Sequence, residues 1–438
     1  MIKIKNNVLI KNIIILLVSG AIAKVIGMIG KIVYTRIAGI NVVSLYSVIT
    51  PTFMLIITIS QFSFPISISK LSAEEKYSNK DLLKNAYIVG AIINVLLIIV
   101  ILLFSDLIAS MLHNKDLGIV IKTIIVILPF TTISSIQRGF LHGKEDMMPN
   151  SVSNIIEEIV KILLIATVIP VVIIKSNISA LIAVILFNIV TELISISITS
   201  KVIKRKYVKD KTSKKNNKII KDIVSISMPT TSIRLISSIG FFLEPIILTN
   251  ILLKTGYAAK YITLEYGIIN SYIIPILSVP TFFSLSVASA LLPNITKAYK
   301  NKKYNEFNGK LLKLMILSII VGLMCLIVIL CFPKVILKLV YNVNFGINYI
   351  YLLGPFFLIL YMQPTLSVAV QAMNKTNKLF IVSSISMVIK YLSLIILGLL
   401  RLGINSLIYS IIIGIVSTTF LLLYIVLKEI NSHQKRSF

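Results

Sequence analysis

Cysteine is scarce in this chain. Its two copies, Cys325 and Cys331, lie six residues apart on one apolar segment, so on a helix they point to opposite faces. Neither a disulfide nor a thiolate metal site follows. Histidine is equally thin: His113, His142 and His433 are scattered, which leaves no metal centre and no histidine-based triad. No glycine-rich phosphate loop is present either, so any ATP coupling would have to come from another chain. Acidic residues number 16 against 44 Lys and Arg, and charged residues make up only 14% of 438, where a soluble chain carries about 25%. A soluble enzyme is excluded, and no cofactor and no metal is expected.

What replaces the missing charge is hydrocarbon. Apolar residues make up 57% of the chain and mean hydropathy is +0.95, and they come in runs such as 89–104 and 407–427. Each needs modest extension to reach the ~20 residues that cross a bilayer. Twelve spans are read, at 12–33, 42–68, 85–105, 119–137, 152–174, 178–200, 224–252, 267–294, 312–332, 347–372, 379–400 and 404–427. All should be α-helices, because a chain in lipid must satisfy its own backbone polar groups. The N-terminal stretch has the cations, apolar core and small residues of a signal peptide. Its apolar run continues through Ile32, and it reads as an uncleaved first span.

The net charge of +28 would suggest nucleic acid on a soluble domain. Here no basic stripe comes with aromatic stacking platforms, and no nucleic-acid partner is expected. The partner is the lipid bilayer. With the N-terminus inside, 30 Lys/Arg fall in cytoplasmic segments, eight on the opposite side and six within spans. That bias places both termini in the cytoplasm of a multi-pass cell-membrane protein. The basic stretch 204–222 reads as a cytoplasmic linker between lobes 1–203 and 223–438.

The two lobes are copies of one unit. Pro51 recurs as Pro275, Pro129 as Pro355 and Lys161 as Lys390, and the segment 104–118 recurs as 332–346, all at offsets of 224–229 residues. Six helices per copy is an even number, so the repeat is parallel. The expected architecture is an all-α membrane protein of two six-helix lobes around a central cavity, suited to alternating access.

Charges inside spans are costly and usually face a wet cavity or a partner. Span 1 carries Lys24 and Lys31, which with Gly20 and Gly27 fall within about 60° of one another around the helix; span 1 itself holds no acid. These lysines either snorkel or form a cationic wall for an anionic group, joined by Lys161, Lys390 and Arg234. Asn154, Glu158 and Lys161 share a face of span 5 beside Glu157, and Glu158 can pair with Lys161 one turn away. Glu244 is an isolated acid, a site for a coupling sodium ion or proton or a partner for a neighbouring helix. Glu192 and Lys122 pose weaker versions of the same problem. Prolines 51, 229, 245, 275, 280 and 355 interrupt helices without ending them, which makes Pro51 and Pro275 hinge candidates.

Three stretches carry a resemblance. Residues 19–27 (SGAIAKVIG) with Lys31, Thr35, Arg36 and Gly39 resemble the first span of the multidrug/oligosaccharidyl-lipid/polysaccharide exporter superfamily. Residues 64–71 (FPISISKL) resemble the end of its second span. Residues 137–143 (QRGFLHG), 147–149 (MMP) and 157–161 (EEIVK) are similar to the fourth and fifth spans of its polysaccharide transporter branch, in the sporulation group near the lipid II flippases.

The resemblance implies a flippase that moves an undecaprenyl-pyrophosphate-linked sugar outward for peptidoglycan, in the spore cortex, beside the cell-wall synthesis machinery. It sets Lys24 and Lys31 at the pyrophosphate. Two features depart from the lipid II flippases: the chain has twelve spans instead of fourteen, and their arginines in the second and eighth spans have no counterpart. The rival within the superfamily is a drug/cation antiporter, disfavoured by lysines where such proteins place a carboxylate. An integral membrane glycosyltransferase is a remote rival, since the outer loops are short and poor in acids.

Overall fold

The computed structural model describes residues 2–208 and 217–434, and every element among them is helical. The middle of the basic linker, 209–216, lies outside the described residues. Two compact units divide the chain, Met1–Phe242 and Leu243–Phe438. The first holds α1 (Ile2–Gln61), α2 (Phe64–Ala73), α3 (Asn79–Met111), α4 (Leu117–Thr123), α5 (Leu128–Gly143), α6 (Met148–Val172), α7 (Asn177–Lys206) and most of α8 (Asn217–Lys254). The second holds α9 (Ala259–Gly267), α10 (Ile274–Leu277), α11 (Val279–Lys300), α12 (Tyr304–Cys331), α13 (Pro333–Tyr341), α14 (Ile347–Leu360), α15 (Gln363–Ala372), α16 (Thr376–Leu399) and α17 (Asn405–Gln434).

Nine helices among the described residues are long and apolar enough to cross a membrane, ten when the bent pair Ala259–Leu277 and Val279–Ala288 is taken as one span. The expectation of twelve differs for two physical reasons. α1 runs through the expected first and second spans without a loop, broken only by non-helical Gly39 at φ 67°, ψ 170°, a conformation essentially restricted to glycine. Sixty residues of unbroken helix would run about 90 Å, three times the hydrocarbon core, so this one residue makes two passages of α1. The other case is α6, whose Glu157, Glu158 and Lys161 crowd its apolar run. Large apolar side chains face outward on the spans, Leu103 at 70% exposure among them, as lipid-facing helices require.

The boundary between units falls inside α8 and not at the basic linker. The polar start of α8 is tied into the first unit: Asp222 accepts from Lys76 Nζ (3.0 Å) and Tyr77 Oη (2.6 Å), Ser227 donates to Ser67 (2.7 Å), and Thr231 donates to Ser63 (3.1 Å). The hydrogen bond to Asp222 also holds the Lys76 ammonium above its ordinary pKa. An apolar core in this unit joins Phe64, Ile68, Leu82, Ile136 and Phe140 to Ile219 and Ile223 of α8. In the second unit, Phe307, Leu311, Leu366, Ala369, Val370 and Leu422 pack together.

The internal repeat is written in the turns. Left-handed residues occur in matched pairs, Glu75 with Lys302, His113 with Asn342 and Glu145 with Asn374, each with φ between 50° and 59°. After α5, Asp146 N–H bonds to Leu141 O, and after α15, Lys375 N–H bonds to Val370 O, the same helix-ending ring 229 residues on. One matched segment differs. α3 continues through Phe104 to Met111, whereas its counterpart breaks at Phe332 because Pro333 cannot continue a helix.

Candidate functional site

The stripe on span 1 is built where α1 packs most extensively, against α6. Two glycines thin α1 there. A Cβ on Gly27 would stand 3.3 Å from Glu158 Oε2, and one on Gly30 would stand 3.1 Å from Ile162 Cγ1. Glu158 and Ile162 are one turn apart on α6, so the two contacts run along one seam. Lys24 and Lys31 are exposed to either side of it, and Gly20 has open space around it. The stripe is acid-free in sequence but not in space: Glu158 reaches it from the neighbouring helix. Lys31 forms no ion pair among the described residues.

The expected Glu158–Lys161 pair does not form, since no ion pair among the described residues includes Lys161, which is half-buried. Glu157 carries the ion pair of α6 instead. It takes Arg138 Nη2 at both carboxylate oxygens, 2.7 and 2.8 Å, while Arg138 Nη1 donates to Asn154 Oδ1 (3.0 Å) and Nη2 to Ser195 Oγ (2.9 Å). Adjacent residues on a helix point about 100° apart, which sends Glu157 toward α5 and Glu158 toward α1. Arg138 was missed as a site residue because it falls among the loop cations by hydropathy. The signal was its place in the QRG motif.

That motif does three jobs. Gln137 accepts from Thr199 Oγ1 (2.6 Å) and donates to Ser200 Oγ (2.9 Å) and Tyr87 Oη (3.1 Å), fixing α5 to α7 and α3. Arg138 holds α6. Gly139 and Gly143 let α5 lie on the backbone of α2, where added Cβ atoms would meet Phe64 O at 2.8 Å and Ser69 O at 2.3 Å. The FPISISKL and QRGFLHG stretches are thus two faces of one contact. Nearby, Ser134 donates to Glu192, and Lys122 pairs with Asp106 at 2.8 Å, so both weaker intramembrane charges have partners.

The second unit repeats part of this. Gln363, 226 residues after Gln137, donates to Thr419 Oγ1 (2.9 Å) and Ile415 O (3.1 Å), tying α15 to α17. Glu244 is not isolated: Lys390 of α16 forms an ion pair with it, the Glu244 side chain 5% exposed and Lys390 19%. Gly414 of α17 packs against the Lys390 stem. Arg234 is exposed on the first-unit part of α8 and forms no ion pair among the described residues.

Of the hinge candidates, Pro51 lies inside α1, while Pro275 opens α10 directly after a π-helical stretch, Ile268–Ile273. The chain bends by 48° between Leu277 and Val279. Pro275 therefore lies inside the continuous helical run Ala259–Leu277, just past its π-helical stretch, while Pro280 stands at the start of α11 beyond the bend. No cluster of three or more potential metal ligands occurs among the described residues.

Residues 9–299, more than half of the chain, match the family described as polysaccharide biosynthesis protein, and residues 270–396 match the MatE family. Stage V sporulation protein B of Bacillus subtilis (strain 168) is 27% identical over 425 residues, covering 94% of this chain and 82% of that protein. Sporulation protein YkvU of the same organism is 24% identical over 373 residues, covering 82% and 81%. Among solved structures, the inward-facing form of a multidrug resistance MATE family transporter of the MOP superfamily superimposes with a TM-score of 0.76 at 17% identity, covering 94% of this chain and 96% of that one. The fold is that of these two-lobed transporters, and the chain belongs to the polysaccharide biosynthesis protein family, as a multi-pass membrane flippase or exporter and not an enzyme.

Proposed function

We propose that the protein moves an undecaprenyl-pyrophosphate-linked sugar precursor outward across the cell membrane by alternating access, for peptidoglycan and in particular for spore cortex. The observation that carries this reading is the α1–α6 seam, where Glu158 lies against Gly27 while Lys24 and Lys31 on α1 are exposed and Lys161 on α6 is half-buried. A pyrophosphate entering hydrocarbon unaided loses its hydration at a cost of many kcal/mol. A net cationic face replaces much of that hydration, while the prenyl tail stays in lipid. Lysine point charges suit a ligand that must also leave, better than a rigid bidentate guanidinium does. The two sporulation proteins among the relatives favour the cortex role, and the excess of Lys/Arg in alternate loops favours cytoplasmic termini.

The testing experiment reconstitutes the protein in proteoliposomes with a lipid-linked sugar pyrophosphate and follows the accessibility of its headgroup from outside. Organic-cation efflux is followed in parallel. The match of residues 270–396 to the MatE family favours a second reading, a drug/cation antiporter. Cation efflux with no headgroup movement selects it.

A further inference from the structure

A groove of about 530 Å³ opens in the first unit between α3 and α7. Its α3 wall is made by residues 80, 84, 87, 88 and 91, spaced as one helix face, and its α7 wall by residues 200, 203 and 204. The charge is all at one end. Lys80 and Lys84 stand in the first two turns of α3 and Lys204 in the last turn of α7, and no carboxylate is among the described residues that line the groove. Leu83 and Ile203 lie beside the lysines, and Ile88 and Ala91 carry the apolar floor further along α3. From Lys80 to Ala91 the groove follows α3 for about 16 Å. Between the two zones lies Tyr87, whose hydroxyl accepts from Gln137 Nε2 at 3.1 Å and has its own proton to donate.

We infer that this groove seats an anionic phospholipid, its phosphate on Lys80, Lys84 and Lys204 and one acyl chain along the apolar floor. A soluble phosphate would use the lysines and leave the floor uncovered; a neutral lipid would use the floor and waste the lysines. Only a molecule with an anionic head and a hydrocarbon tail matches both. Through Tyr87 and Gln137 the bound lipid touches the hydrogen bonds that join α3, α5 and α7, so occupancy stiffens the lobe at that end. The assignment stands apart from the transported substrate, because none of these residues belongs to the α1–α6 seam.

The chain contains no tryptophan, so Ile88→Trp supplies a single fluorophore in the groove. The full-length variant is placed in phosphatidylcholine vesicles containing a minor fraction of tail-brominated phosphatidylglycerol. Quenching should exceed that given by the same fraction of brominated phosphatidylcholine, and each lysine changed to glutamine should lower the preference about five-fold. The triple Lys→Arg variant should keep the preference, which separates lost charge from lost folding. Should the triple Gln variant fail to insert, the single Lys84→Gln variant gives the reading, since Lys84 is exposed. Equal quenching by the two lipids, or a preference unmoved by Lys→Gln, overturns the site. Full relief of quenching by inorganic phosphate also overturns it, by making the groove a headgroup-only anion site.

Discussion

The carboxylate of Glu158 rests on Gly27, near enough that a methyl group on that glycine would stand 3.3 Å from Oε2. The neighbour is the end of a flexible side chain and can retreat by a few tenths of an ångström. Alanine in a helix gains about 0.5–1 kcal/mol over glycine. Gly27→Ala is therefore expected to be neutral or slightly stabilising in thermal unfolding of the detergent-solubilised protein. Gly27→Leu, which must drive Glu158 off the stripe, should cost about 1–3 kcal/mol. If alanine does as much damage as leucine, the glycine serves some purpose other than making room for this carboxylate.

Glycines against backbone behave differently. A Cβ on Gly143 would sit 2.3 Å from Ser69 O and 2.8 Å from Ser72 Cβ, and the main chain of α2 has nowhere to go. Gly143→Ala should lose about 1–3 kcal/mol through overpacking and lower the yield of folded protein. Gly20→Ala, with nothing within 4 Å, is the matched control and should not. Equal yields of the two variants would mean that α2 and α5 separate more easily than their contact indicates.

Hydropathy made most of the helices legible, because a bilayer-crossing segment announces itself by length and by loss of charge. The 224–229 residue repeat was legible for the same reason that its turns coincide: Glu145 and Asn374 end equivalent helices with the same left-handed residue. What could not be read was partnership across helices. Periodicity places Glu157 and Glu158 on adjacent faces but does not say which neighbour each face meets, so the pair was assigned within α6 when Arg138 of α5 takes Glu157. Glu244 and Lys390 looked isolated for the same reason, being 146 residues apart. Asp222 reads as the end of the linker and Ser227 as part of the second lobe, yet both are bonding groups of the first unit.

The Glu244–Lys390 pair should show the asymmetry of buried ions. Lys390→Met strands a carboxylate that is 5% exposed, and removing one partner of a buried pair costs about 3–5 kcal/mol. The double variant Glu244→Leu/Lys390→Met should recover most of that loss in thermal unfolding. Since the Lys390 ammonium already occupies the cation position beside Glu244, Glu244→Gln should lower stability and leave the sodium and pH dependence of transport unchanged. A flattened ion dependence at normal stability would instead make Glu244 the coupling site.

Orientation has a direct chemical test. In a background where Cys325 and Cys331 are replaced by serine, single cysteines at 112–116 and 341–345 should react with a membrane-impermeant thiol reagent added to intact cells. Cysteines at 204–207 should react only after lysis. Labelling of 204–207 from outside would reverse the inside and outside assigned from the loop cations.

Lys24 is the residue on which the anionic-substrate reading depends most. It lies on the stripe one turn before Gly27, where Glu158 brings a negative charge into the seam, so it helps to keep the seam net positive. Charge-assisted hydrogen bonds contribute about 1.5–3 kcal/mol; losing one should slow headgroup flipping roughly ten- to a hundredfold in Lys24→Ala proteoliposomes at unchanged insertion. Lys24→Arg keeps the charge and should retain most activity. Lys24→Glu should do worse than alanine, because it sets a second carboxylate one turn from the Gly27 that Glu158 touches and reverses the field that a pyrophosphate meets. Mere snorkelling predicts a different order, with Ala and Glu variants both near normal once inserted. Normal flipping by Lys24→Glu at normal expression would therefore remove the cationic seam as the substrate's binding face, whatever the lipid-linked sugar proves to be.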